Sequence, residues 1–119
     1  MRFFFALFFF ASIIFFGSFG HAQTMMEMKE EAGVKYKQAD GEMNRIYKLA
    51  REACDSAGKE RLKKAQLAWI KYRDLCCEAE ASIYEGGSLY GLAYTNCMIA
   101  LTKERTGRLR VYDVESSWK

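Results

Sequence analysis

The sequence predicts an all-α fold, an antiparallel three-helix bundle whose second and third helices form a disulfide-linked hairpin. Three observations carry that prediction. Proline is absent from all 119 residues, and the good helix formers Ala, Glu, Lys, Met, Leu and Arg dominate once the first 22 residues are set aside. Apolar residues recur at steps of three and four, the period of one helix face. Two cysteines flank a glycine turn symmetrically: Cys77 lies ten residues before Gly87, and Cys97 lies ten residues after it.

Residues 1–22 read as a secretory signal. Met1-Arg2 supplies the positive start, a stretch of 14 residues from Phe3 to Phe16 is apolar but for Ser12, and Gly20-His21-Ala22 offers a small-residue ending for cleavage after Ala22. A membrane anchor is the rival reading, but spanning hydrocarbon takes roughly 20 apolar residues. The expected mature chain therefore holds 97 residues (119 less 22), enough for one small domain. The expected organisation is a signal peptide over 1–22, a helical domain over 23–112 and a flexible tail over 113–119. Localisation is expected to be periplasmic or secreted, with no stable membrane insertion after cleavage.

The first helix is expected from about Thr24, a candidate N-cap, to about Asp55. Its inward face would be Met25, Met28, Ala32, Tyr36, Ala39, Met43, Ile46 or Tyr47, Ala50 and Cys54. Gly33 and Gly41 weaken it, and Ser56-Ala57-Gly58 is the expected stop. The second helix, about Lys59 to Tyr84, carries two adjacent stripes: Leu62, Ala65, Trp69, Tyr72, Cys76 and Ile83, beside Gln66, Ile70, Arg73, Cys77 and Glu80. Gly86-Gly87-Ser88 makes the turn, because glycine reaches the left-handed conformations that a tight helix connection uses. The third helix is expected from about Leu89 to Arg105, with Tyr90, Tyr94, Cys97 and Leu101 inward. Thr106-Gly107 would then break it and let Leu109, Val111 and Tyr112 fold back.

The hairpin's symmetry sets Cys77 opposite Cys97 and Trp69 opposite Arg105, a pair suited to a guanidinium on an indole face. Cys76 competes with Cys77 for the bridge, although neighbouring helix positions point about 100° apart, so only one of them faces Cys97. Cys54 and Cys76 would stand about 24 Å apart along the first hairpin, too far to bridge. They read as buried thiols, with an intermolecular link through Cys54 as the alternative.

Function classes narrow quickly. The single histidine, His21, leaves with the signal, which removes imidazole-based triads, histidine metal ligation and the commonest general base. Losing Arg2 as well leaves 17 basic against 15 acidic residues, a net charge of +2. Lys59–Lys64 and Lys103–Arg110 interleave acidic and apolar residues, so no nucleic-acid face emerges. A carboxylate-only hydrolase of wall polysaccharide, built on Glu78 and Glu85, is the remaining enzymatic reading, and solvated helix charge explains that pair more simply. No catalytic, metal or cofactor site is expected.

Ala65-Gln66, Trp69, Tyr72-Arg73-Asp74, Cys77, Gly86-Gly87-Ser88, Cys97, Thr102, Arg105 and Leu109 together resemble the signature of the LprI-like lysozyme-inhibitor family. The upstream run Tyr36, Ala39-Asp40, Glu42-Met43-Asn44, Tyr47 and Leu49 resembles that family's first helix. The chain departs from the pattern at Glu31, near which family members often carry a further cysteine. The resemblance implies an exported, non-enzymatic helical protein that binds and inhibits lysozyme; an envelope interaction module with another protein partner is the alternative. Gln66, Trp69, Tyr72, Arg73, Asp74, Thr102, Arg105 and Leu109 are read as structural. Tyr84, Glu85, Gly86, Gly87, Ser88, Leu89 and Tyr90, at the tip of a stiff hairpin, are the candidate partner-binding residues.

Overall fold

The computed structural model describes the backbone of residues 24–116 and the side chains as far as Tyr112. The expected signal peptide lies outside the described residues. Three long helices and one short turn account for the architecture: α1 (Met25–Glu52), α2 (Ser56–Ala81), a 3-10 turn over Ser82–Tyr84, and α3 (Tyr90–Ser116).

A reciprocal cap starts α1. The Thr24 hydroxyl accepts from the Glu27 backbone N–H at 3.2 Å, and the Glu27 carboxylate accepts from the Thr24 N–H at 2.9 Å, so two donors that the helix leaves open are satisfied. The helix then passes Gly33 and Gly41 without breaking, and Ala32, Ala39, Met43, Ile46 and Ala50 form its buried stripe. It stops at Glu52 because Asp55 begins the next one. The Asp55 carboxylate accepts from the Gly58 N–H at 2.7 Å, which sets the start of α2 at Ser56 rather than at Lys59. Ser56-Ala57-Gly58 is thus a beginning as well as a stop. A Cβ on Gly58 would come within 3.0 Å of both Cys54 Cβ and Asp55 Oδ1, so the corner is closed tightly around this glycine.

At the far end of α2 the chain tightens into the 3-10 turn. Gly86 then takes φ +77°, a conformation that favours glycine. The Gly87 N–H donates to the Tyr84 carbonyl at 2.9 Å, closing the bend before α3 departs. The bridge between Cys77 and Cys97 joins α2 to α3 with a Cα separation of 5.4 Å, leaving Cys54 and Cys76 as free, half-buried thiols.

Helix α2 runs antiparallel to both neighbours, whereas α1 and α3 run parallel and share the most extensive contact. Chain neighbours are therefore not the closest packing partners throughout. Small residues on α1 let its neighbours approach: Ala32, Ala39 and Ala50 sit on its buried stripe. Arg110 of α3 reaches the Glu42 carboxylate at 2.9 Å and ties the two helices at their edge.

Helix α3 departs from expectation. It continues through Thr106-Gly107 to Ser116, so Leu109 does not fold back and the backbone of 113–116, expected to be a loose tail, continues the helix. Leu109 explains the difference, since it is fully buried against Met43, Ile46, Ala50 and Leu62. Burying such a side chain stabilises by about 2 kcal/mol, which outweighs the roughly 1 kcal/mol that one interior glycine costs. Neither expected α2 stripe faces inward as a whole, since Glu80 of one is exposed and Leu62 of the other is buried. Gln66, Arg73 and Cys77 are buried, while Ala65, Tyr72 and Ile83 point to solvent.

Candidate functional site

Two apolar clusters bracket a polar layer. At one end lie Met43, Ile46, Ala50, Leu62 and Leu109; at the other, Cys77, Cys97 and Met98, flanked by Tyr36, Tyr94 and Leu101. Between them Gln66, Arg73, Thr102 and Thr106 are all buried. Polar groups enclosed in this way need partners; Gln66, Arg73 and Thr102 find them across the helices, and Thr106 within α3.

Arg73 is the centre of the layer. Its Nε donates to Asp74 Oδ1 at 2.9 Å and Nη2 stands 2.9 Å from the same oxygen, Nη1 stands 3.8 Å from Asp40 Oδ1, and Nη1 donates to the Thr102 hydroxyl at 3.4 Å. The guanidinium carbon also lies 5.3 Å from the centre of the Trp69 ring and 5.9 Å from that of Tyr36. One side chain of α2 thereby engages α1, α3 and its own helix. Asn44, one turn along α1, donates to Asp40 Oδ2 at 3.3 Å and holds the second carboxylate in place.

Arg105 forms the other half. Its Nε donates to Gln66 Oε1 at 2.9 Å, and its guanidinium lies over the same Trp69 ring at 5.8 Å, as the hairpin symmetry predicts. Gln66 donates in turn to Met43 Sδ at 3.6 Å, and the Thr106 hydroxyl donates to the Thr102 carbonyl at 2.9 Å. Burial pushes the Arg105 pKa down and the Tyr36 hydroxyl pKa up. At the edge, a hydrogen bond from Arg45, reinforced by Arg110, holds the Glu42 carboxyl down at about 2.

Most of the expected signature residues meet here: Gln66, Trp69, Arg73, Asp74, Thr102 and Arg105 share the layer, and Leu109 closes the apolar cluster beside it. Tyr72 does not join them. It is 59% exposed and lines a shallow hollow of about 300 Å³ with Trp69, Leu101, Glu104, Arg105 and Arg108. Asp40 and Tyr36 belong to the layer but were not among the sequence-predicted site residues. The available signal was their spacing of four on α1, which puts a carboxylate and a ring on one face toward a buried cation.

The tip is built differently. Tyr84, Glu85, Gly86, Gly87, Ser88 and Leu89 are all exposed, while Tyr90 is half-buried and stacks on Tyr94 with ring centres 6.4 Å apart. The Cys77–Cys97 bridge lies behind it and holds the two strands of the hairpin together. Glu78 and Glu85 are exposed on the hairpin's outside. From Asp74 to Thr102 the chain carries Asp74, Glu78, Glu80 and Glu85 and no lysine or arginine, so the tip half of the hairpin is acidic although the whole chain is not.

Among the described residues no group of three or more His, Cys, Asp or Glu side chains is placed to hold a metal ion. None of the described helices is long and apolar enough to cross a membrane. Apart from Arg105 Nη2, which is buried without a hydrogen-bond partner among the described residues, the layer's groups are engaged with one another as a clamp that fixes how three helices meet.

Comparison with known proteins agrees with this architecture's signature. An uncharacterised protein of Rhizobium meliloti (strain 1021) is 34% identical to the chain, the match covering 75% of this chain and 73% of that one. No solved structure matches. The family described as lysozyme inhibitor LprI matches residues 19–109, which takes in α1, α2, the glycine turn and α3 as far as Leu109. On that match, spanning well over half its length, the chain belongs to the LprI lysozyme-inhibitor family.

Proposed function

We propose that this protein is an exported, non-enzymatic inhibitor that binds lysozyme through the tip of its disulfide-linked hairpin, Tyr84 to Tyr90, and blocks the cleft holding the enzyme's two carboxyl groups. The observation that carries the reading is the family match over residues 19–109. The geometry supports it. A bend fixed by Gly86 and braced by the bridge loses little freedom on binding, so a convex tip of this kind suits a concave site.

Charge adds a second support. Lysozymes of the usual basic type would gain no steering from a partner of net charge +2, but the field near the contact matters most at physiological salt, where screening acts within about 8 Å. The acidic half of the hairpin presents Glu78, Glu80 and Glu85 close to the tip, the sign that a basic enzyme attracts.

The test is the rate of cell-wall lysis by a basic lysozyme with the purified, oxidised protein in excess. Inhibition at micromolar concentration is the expected outcome; undiminished lysis overturns the reading. The positive whole-chain charge favours a second reading, an envelope protein other than lysozyme as the tip's partner. Retention of such a protein from envelope extracts, lost on substitution of Ser88, would establish it.

A further inference from the structure

The outer face of α2 is apolar and has no partner within the bundle. Ala65, Ala68, Tyr72, Leu75 and Ala79 follow one another at alternating steps of three and four, and Ile83 extends the row one position late. All are exposed: Tyr72 by 59%, Leu75 by 54% and Ile83 by 77%. This is the spacing of a helix–helix seam on the solvent-facing side of α2, with Tyr72 at its border toward α3.

A row of charges borders the seam. Lys64, Lys71, Glu78 and Glu85 stand seven residues apart, and their signs run positive, positive, negative, negative. Each is exposed, and among the described residues none of the four takes part in an ion pair. Such a row complements itself when a second copy lies antiparallel. With the two-fold axis between Arg73 and Asp74, Tyr72 of one copy stands level with Leu75 of the other, and Ala68 with Ala79. In that register Glu78, and Glu85 just past the helix end, lie two residues, about 3 Å along the axis, from the levels of Lys71 and Lys64 of the other copy, an offset that the long lysine side chains span. The alanines allow the two backbones to approach closely.

We infer that this face of α2 is a homodimer interface, in which two copies pair their second helices antiparallel through the Ala65–Ile83 seam and the Lys64, Lys71, Glu78 and Glu85 ladder. The apolar seam ends at Ile83, before the tip, and Glu85 is the one residue that the ladder and the tip share. In the dimer the two tips point in opposite directions, which makes the assembly two-headed.

Sedimentation equilibrium of the purified, oxidised chain tests the pairing, with intact mass under non-reducing conditions confirming that no intermolecular disulfide is present. The expected result is a reversible dimer that weakens as salt is raised. Lys64→Glu with Lys71→Glu makes the row uniformly acidic and should weaken dimerisation by about tenfold or more. Adding Glu78→Lys and Glu85→Lys reverses the ladder while keeping it complementary, and should restore the dimer. Leu75→Glu should abolish it without altering the helical circular dichroism, because more than half of the residue is open to solvent in the monomer. A monomer at every soluble concentration overturns the inference and leaves the face to a different helix. So does a dimer indifferent to the charge variants.

Discussion

Arg73 and Glu85 lie on the same hairpin, yet their surroundings differ in kind. Arg73 is 6% exposed and held by two carboxylates, a hydroxyl and two aromatic rings, whereas Glu85 is exposed beside a glycine turn. The layer turns its polar chemistry inward and determines how the helices meet. The tip leaves its polar chemistry outward, where another molecule can reach it. A substitution in the first region should be read in stability, and one in the second in binding. Each prediction below is a way to make that division fail.

The largest effect is expected from stranding the buried cation. Replacing Asp40 and Asp74 together by asparagine keeps the shapes but leaves Arg73 without a counter-charge, and should lower the unfolding free energy by about 3 kcal/mol or more. Arg73→Met should cost less, because it removes the charge that needs compensation and retains much of the packing. Urea denaturation of the three proteins checks the order. If the methionine variant proves the less stable, Arg73 acts through its ion pairs rather than through filling the layer.

Removing the bridge comes next. The disulfide closes a loop with a sequence separation of 20, for which chain entropy gives about 3 kcal/mol. Cys77→Ser with Cys97→Ser should therefore lower the melting temperature markedly, and reduction of the native protein should do the same. Equal stability with and without the bridge would mean that the layer alone holds the hairpin, and that the tip's stiffness has another source.

How much of this was legible beforehand follows the same division. The symmetric placing of Cys77 and Cys97, and of Trp69 and Arg105, about Gly87 gave both contacts correctly, since an antiparallel hairpin turns equal sequence offsets into spatial pairs. The inward face of α2 was less legible. Its apolar row, Ala65 through Ile83, resembles a core stripe, but the buried row is the one with Gln66 and Arg73, a choice that depends on Asp40, Thr102 and Arg105 arriving from other helices. Helix α3 ran past Gly107 for a related reason: local propensity favours a stop there, and the burial of Leu109 overrides it. Asp40 stood out only as part of the run that resembles the family's first helix until Arg73 gave it a partner. What the tip touches has no counterpart within the chain, so its residues were nameable by position but not by role.

A smaller effect should come from the bend itself. Gly86 holds φ +77°, and Gly86→Ala should cost about 1–2 kcal/mol through backbone strain, since the added Cβ meets no atom within 4 Å. Its neighbour Gly87 provides the control: φ is not positive there, and the added Cβ would meet only the Tyr84 carbonyl at 3.2 Å. Thermal melts of the two alanine variants should separate strain from crowding, with Gly86→Ala the less stable. A reversal would place the constraint in the carbonyl contact instead of the backbone conformation.

The smallest change in stability, and the sharpest test of the division, belongs to Ser88. It is exposed, lies between the bend and α3, and among the described residues takes part in no side-chain hydrogen bond, so Ser88→Arg should shift the unfolding free energy by no more than about 0.5 kcal/mol. The same substitution puts a bulky positive charge at the centre of the acidic tip, where it would both obstruct a cleft and repel a basic partner. Lysozyme inhibition should fall while the melting curve stays in place, and the Asp40 and Asp74 variant should show the converse wherever it remains folded. A Ser88→Arg protein that keeps full inhibition would move the contact off the tip, and the outer faces of α1 and α3 would then be the surfaces to substitute.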